Sequence, residues 1–280
     1  MPRSLIPLSE FDPDRSALIE PSSHFGSGRS PKRGDMPAVA VACFFGDVVK
    51  RVARSHDAKL VTHLAAEHGR HAVWELEWHG RRLAFFQPGL GAPLSAGFME
   101  EVIDYGCRTI VACGGCGALD PELALGHVVL VSAALRDEGT SFHYLPPSRT
   151  IEAAPAVVHR LRRLLEERSV PHTVGMTWTT DGFYRETRGK VARRRDEGCI
   201  TVEMEASALI AVAQFRGVQF GQLLYAGDSL AGDAWDHRDW VTAHDVREQL
   251  FFLAADAAVA LASADGPASA DGPASAEGRS

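Results

Sequence analysis

From residue 38 onward the chain alternates between short, nearly uninterrupted apolar runs and longer stretches whose apolar residues recur at spacings of three and four. The runs are rich in Val, Ile, Phe and Leu and predict strands over 38–45, 83–87, 109–113, 128–134, 174–179, 200–202 and 222–226. Because they are continuous in apolar character, the sheet they form is expected to be covered on both faces. The stretches between them predict helices over 47–68, 95–105, 156–168, 188–197, 205–216 and 242–261. This alternation implies an α/β fold: a single domain over 37–262 with a mixed, mostly parallel central sheet flanked by helices, and a ligand site in loops at the carboxyl ends of the strands.

The two ends of the chain read differently. Residues 1–36 form an N-terminal arm with little core of its own, joined through the Gly- and Ser-rich link Gly26-Ser27-Gly28-Arg29-Ser30-Pro31. At the other end, Asp265-Gly-Pro-Ala-Ser-Ala270 is repeated at once as Asp271-Gly-Pro-Ala-Ser-Ala276, with no large apolar side chain to bury, so 263–280 is expected to be a disordered tail.

Composition narrows the partners. Lys plus Arg number 29 against 36 Asp plus Glu, a net charge of −7, which is the wrong sign for broad binding to a nucleic-acid backbone. The longest apolar runs are far shorter than a membrane span needs, and Pro2, Ser9, Glu10 and Asp12 stand where a secretory signal would be apolar, so a cytoplasmic protein without membrane contact is expected. Five cysteines, an odd number within apolar segments, suit reduced buried thiols.

Three local constellations could carry chemistry. Gly114-Gly115-Cys116-Gly117 directly follows a predicted strand, and Gly89-Leu90-Gly91-Ala92-Pro93 ends another, so each is read as a tight turn able to bring backbone N–H groups against a ligand. Cys113 and Cys116 have the spacing of a redox or zinc pair, but no second pair completes a tetrahedral site, and no metal or cofactor is expected. Glu203-Met204-Glu205 ends a strand and opens a helix, where a carboxylate either favours the helix N-terminus or points into a cleft.

Taken together, these segments resemble the nucleoside phosphorylases of the purine nucleoside and uridine phosphorylase family. The stretch 114–147, GGCGALDPELALGHVVLVSAALRDEGTSFHYLPP, is similar to the family's Gly-rich turn, GDVV strand and Ser-x-His-Tyr/Phe-Pro loop, which brings in His143. Val202–Ser207 looks like its V-E-M-E-A signature, and the order Gly46-Asp47, Gly89-x-Gly91-x-Pro93, Asp181-x-Phe183-Tyr184, Glu203-Met204-Glu205, Asp228 also agrees.

The resemblance implies cleavage of a nucleoside's N-glycosidic bond by phosphate, through a transition state with positive charge at the sugar's C1′. It places Glu205 on the ribose hydroxyls and near that charge, Met204 against the sugar, and Glu203 as a second acid of less defined contact. It places Gly91 and His143 in the substrate site and Phe183 under the base. Glu186-Thr-Arg188 resembles the Gln-x-Arg pair that reads a pyrimidine, with Glu in place of Gln. Asp228 instead matches the acid that protonates a purine's N7, so the two signals point to different bases.

For the anion the resemblance implies Gly46, Lys50, Gly115 and, from a neighbouring subunit, Arg70. Lys50 stands in the place of an arginine, Ala112 in that of a second arginine, and Gly115 in that of a hydroxyl residue. Phosphorolysis of a purine or pyrimidine nucleoside is therefore the leading expectation, with inorganic phosphate as co-substrate and a dimer or hexamer as the assembly. The alternatives are a hydrolytic nucleosidase with Asp47 as base, favoured by the reduced anion site, and a non-catalytic nucleoside-binding protein.

Overall fold

The computed structural model describes residues 4–21 and 35–263. Ten strands and six α-helices are formed: β1 Val39–Cys43, α1 Gly46–Ser55, β2 Lys59–Ala66, β3 Gly69–Trp78, β4 Arg81–Phe86, α2 Ala92–Asp104, β5 Thr109–Ala118, β6 Val128–Asp137, β7 Thr150–Glu152, α3 Pro155–Glu167, β8 His172–Thr180, α4 Arg188–Asp196, β9 Cys199–Glu203, α5 Ala206–Arg216, β10 Gln219–Ser229 and α6 His244–Ser263.

The strands form one mixed sheet. β1 lies parallel between β4 and β5, β5 runs parallel to β10, and β8 lies parallel between β6 and β9. The remaining pairings, β2–β3, β3–β4, β5–β9, β6–β7 and β6–β10, are antiparallel. The pairs β5–β10, β10–β6, β6–β8, β8–β9 and β9–β5 return to their starting strand, so half of the sheet closes into a ring. Such closure leaves these strands no open edge and gathers their ends at one rim.

Burial follows from the apolar runs. Every residue of β1 is buried, and the two faces of the sheet belong to separate cores. Phe98 and Met99 of α2 and Leu209 and Val212 of α5 cover one face, while Val48 and Val52 of α1, Leu161 of α3 and Phe251 of α6 cover the other. A smaller cluster of Leu119, Leu135, Trp178, Val191 and Val202 fills the ring side beneath α4. All five cysteines are free and buried.

Two expectations need correction. The helix expected over 47–68 ends at Ser55, and residues 59–66 instead pair with β3 as a hairpin. His56 caps α1 and Asp57 takes a positive φ of 46°, a conformation that ends a right-handed helix; beyond it Leu60 and Leu64 mimic helical spacing, but Val61 and Thr62 favour a strand. The expected turn 114–117 is the continuation of β5, because β10 keeps pairing with Gly114, Gly115 and Cys116.

The described part of the arm, 4–21, lies on the body of the domain. Arg15 donates to the Phe215 carbonyl and sits 4.7 Å over its ring, Leu8 approaches Gly139, and Glu20 faces Arg216 at 3.9 Å. The Gly26–Pro31 link and the repeated tail expected over 263–280 lie outside the described residues, apart from Ser263, which ends α6.

Candidate active site

The carboxyl ends of β1, β4, β5 and β10 point the same way and β9 runs against them with Val202 opposite Gly117, and the residues singled out in the sequence divide there into three groups. The first is centred on Glu205. β9 delivers Glu203 inward, Met204 turns the chain, and Glu205 becomes the N-cap residue of α5. Glu203 Oε2 accepts the backbone N–H groups of Glu205 at 2.8 Å and Ala206 at 2.7 Å, capping the helix, and its Oε1 accepts the Thr179 hydroxyl at 2.7 Å. Both carboxylate oxygens of Glu203 are thus engaged by the protein, and one of them holds the backbone of Glu205.

Glu205 is 5% exposed, and its Oε1 accepts the Gly91 N–H at 2.6 Å. Gly91, the N-cap residue of α2, holds a φ of 85° that a side chain would strain, which aims this N–H across the cleft. Burial, then the neighbouring Glu203, pushes the Glu205 carboxyl up to about 8, and burial raises Glu203 to about 6.

Behind them lies Glu138, which sequence reasoning missed. It is buried, accepts the Ser207 hydroxyl at 2.9 Å and the Ser141 N–H at 2.9 Å, and contributes to raising Glu203. Its only sequence signal is its place just ahead of the Ser141-x-His143 loop. His143 itself stands exposed at the end of the 3-10 turn Thr140–His143.

The second group surrounds Asp228, near the end of β10. A Cβ at Gly117 would lie 2.7 Å from Leu230 Cδ1 and 3.0 Å from Val202 Cγ1, so these side chains would have to shift, while its 3.7 Å to Asp228 Oδ1 is ordinary contact. Trp235 Nε1–H donates to Asp228 Oδ2 at 2.6 Å, and Ser229 and Asp236 exchange backbone hydrogen bonds of 2.8 and 2.9 Å that close the loop carrying the indole. A cavity of about 550 Å³ opens beside it, lined by Glu186, Arg188, Val191, Leu230, Gly232 and Trp235. Burial, then Asp228, pushes Glu186 up to about 7, with Lys190 opposing. Phe183 projects from the 3-10 turn Phe183–Arg185, 47% exposed, with its ring 3.9 Å from that of Tyr184.

The buried Cys116 thiol joins the two groups, since burial first, then both Glu203 and Asp228, hold its pKa well above the ordinary value. Cys113 belongs to the opposite core, so the two thiols do not face each other. Among the described residues, no three His, Cys, Asp or Glu side chains gather as a metal site.

The third group borders the end of β1. Pairing of β5 with β1 stops at Cys113 and pairing with β9 starts at Gly117, so on this edge residues 114–116 pair with neither strand, and Phe44 packs against Gly114. Gly46 begins α1 just after the end of β1, and Lys50 stands exposed one turn on. Arg70 is exposed on β3, in the hairpin opposite Ala65. Asp47 is bridged to Arg51 at 3.6 Å, His244 at 3.8 Å and Arg247 at 3.1 Å, and the Arg247 guanidinium lies 4.6 Å over the Phe45 ring. Arg247, brought in by α6 from a segment distant in sequence, is the cation next to the Gly46 turn that local patterns did not signal.

The profile of the phosphorylase superfamily matches residues 38–260. The chain belongs to this superfamily. Its members similar to the chain include a guanosine phosphorylase from Halorubrum lacusprofundi, 28% identical over 73% of this chain and 86% of that protein. A DeoD-type purine nucleoside phosphorylase from Alkaliphilus metalliredigens is 30% identical over 55% of this chain and 66% of its own length. The crystal structure of uridine phosphorylase from Vibrio fischeri superimposes with a TM-score of 0.69 over 82% of this chain and 95% of that one, at 22% identity, and so shows the shared fold. These superfamily members are nucleoside phosphorylases, which are pentosyltransferases, and the fold described above, a single α/β domain around a large sheet, is theirs. Among the described residues, no helix is long and apolar enough to cross a membrane.

Proposed function

We propose that the chain cleaves the N-glycosidic bond of a nucleoside with inorganic phosphate, releasing the free base and the sugar 1-phosphate. The observation that carries this reading is the placement of Glu205: buried, with its carboxylate held by the Gly91 N–H and its backbone by Glu203, whose charge, like that of Asp228, reaches the Cys116 thiol. A ribose set there meets a carboxylate able to accept its hydroxyls and to face positive charge developing at C1′. Met204, half-buried at the mouth of α5, packs against the sugar. The C1′–N bond breaks as a phosphate oxygen bonds to C1′, and the departing base takes its proton from Asp228. Phe183 covers the base. Phosphate is held by the backbone at Gly46 and Gly115 and by Lys50, with Arg247 adding positive potential.

Arg70 is too exposed to complete the site of its own subunit, so this reading includes a second copy of the chain, with Arg70 of each copy reaching its neighbour's anion site in a dimer or hexamer. Hydrolysis is the weaker reading, because Asp47, the base it requires, is engaged by Arg51 and Arg247 and faces His244. The test is incubation with a panel of nucleosides with and without phosphate, followed by identification of the sugar. Phosphate-dependent sugar 1-phosphate is expected; free sugar formed in phosphate-free buffer overturns the proposal.

A further inference from the structure

The cavity beside Asp228 presents two fixed chemistries to whatever enters it. Glu186 precedes the capping residue Thr187, and Arg188 opens α4, so a carboxylate and a guanidinium two residues apart line the same space. Its walls at Val191, Ala192 and Leu230 are small and apolar, suited to a flat ring. An ionised carboxylate only accepts hydrogen bonds and a guanidinium only donates them. A base that satisfies both must show adjacent N–H donors beside acceptors.

The four common nucleobases differ in this respect. Uracil carries one N–H between two carbonyls, so a carboxylate aimed at the N–H is repelled by a carbonyl oxygen beside it. Adenine offers its amino group but sets the N1 lone pair against the second oxygen, and cytosine likewise sets the N3 lone pair beside its amino group. Guanine alone presents N1–H and the 2-amino group side by side, with O6 and N7 as acceptors on the adjoining edge. We propose that Glu186 and Arg188 make this a site selective for 2-amino-6-oxopurine nucleosides, Glu186 accepting from N1–H and the 2-amino group, Arg188 donating to O6, and Asp228 facing N7.

The inference rests on the reading of the cleft as a nucleoside site, and it assigns the base that reading leaves open. Trp235, which lines the cavity with Glu186, also donates to Asp228, so a bicyclic base in the cavity lies close to both acids. The charged groups around Glu186 are Asp228 from β10, Lys190, Arg188 and Arg195 from α4, and Asp233 from the loop after β10. Lys190 opposes the rise and favours the ionised Glu186 despite its burial.

Calorimetric binding of guanosine, inosine, adenosine and uridine to the full chain, at pH 8 and without phosphate, tests the assignment independently of turnover. Guanosine should bind tightest, inosine about tenfold weaker for loss of one charge-assisted hydrogen bond, and adenosine and uridine ~10²-fold weaker or more. Glu186→Gln, an isostere able to both donate and accept, should abolish the preference and improve uridine binding, while Glu186→Asp should keep the order at reduced affinity. Lowering the pH from 8 to 6 should weaken guanosine and strengthen uridine in the wild type but not in Glu186→Gln, a response that a purely structural role does not produce. Equal or tighter binding of adenosine or uridine to the wild type, an unchanged order in Glu186→Gln, or binding of none of the four overturns the proposal. If the guanosine order holds while the product is free ribose made without phosphate, phosphorolysis fails and the base assignment stands.

Discussion

The Glu205 centre and the Asp228 cavity are built in opposite ways. Glu205 is nine-tenths or more enclosed, and its support comes from regular elements: the end of β9, the first turn of α5 and the N-terminus of α2. The Asp228 cavity has one wall on α4 and the other on an irregular loop closed by one backbone bridge, by the indole of the exposed Trp235 and by side-chain bonds such as Arg195 to the Ala231 carbonyl. Regular elements fix a group to within a fraction of an ångström and tolerate little change, whereas loops can be recast without disturbing the core. On the proposed reading, the sugar and its transition state, common to all substrates of such an enzyme, would occupy the rigid part. The base, which differs among substrates, would occupy the adjustable part.

The sharpest break between the two regions should come from Asp228→Asn. Loss of a general acid lowers the rate by ~10²–10⁴-fold, and the loss should be confined to purine nucleosides, whose N7 must be protonated. Equal loss on uridine would place Asp228 in the common machinery and erase the distinction. Assayed above pH 8, where the Glu205 carboxyl is ionised, Glu205→Gln should lower kcat/KM by ~10²-fold or more on every nucleoside regardless of base, because it removes charge from the sugar end; wild-type activity in a folded variant at that pH contradicts this.

A smaller effect is expected at the proposed anion site. Lys50→Ala should raise the KM for phosphate about tenfold while leaving that for the nucleoside nearly unchanged, and Lys50→Arg should restore or improve it. Initial rates across a phosphate series at two ionic strengths check this, since an exposed lysine is screened by salt. Turnover indifferent to Lys50 would shift the anion's charge to Arg247 or Arg70.

The smallest effect is on stability. Glu205 titrates near 8 in the folded chain and near 4.5 when unfolded, so folding favours its protonated form. This contribution is fully present below the unfolded value and is lost as pH rises through the folded one. Glu205→Gln should therefore match the wild-type Tm at pH 5 and exceed it by a few degrees above pH 8, as measured by thermal unfolding without ligand. A variant less stable at both pH values would mean that the carboxylate is a structural necessity.

The same division governs what could be read in advance. The Glu205 centre was legible because its parts are neighbours in sequence: Glu203, Met204 and Glu205 follow one another, and the strand before them and helix after them announce themselves by apolar periodicity. The Asp228 cavity was half legible. Glu186, Arg188 and Asp228 could each be matched, but as conflicting signals, until the structure showed that α4 and the loop after β10 enclose one space. Trp235 carries no local pattern that marks it as a partner of Asp228. The hairpin of β2 and β3 was hidden because Leu60 and Leu64 fit a helix as well as a strand, and pairing with β4 decided between them.

Side-chain periodicity, turn chemistry and the V-E-M-E-A segment act over a few residues, and these determined the alternating α/β order, the sheet covered on both faces and the position of Glu203-Met204-Glu205 between a strand and a helix. Strand order, ring closure, and the meetings of Glu138 with Ser207, Trp235 with Asp228 and Arg247 with Asp47 were decided only by the tertiary structure. Three of the ring's five pairings join strands distant in the chain, and β5 with β10 is the widest of them. Which strands meet depends on the packing free energy of the whole sheet, a sum to which no single segment carries the answer.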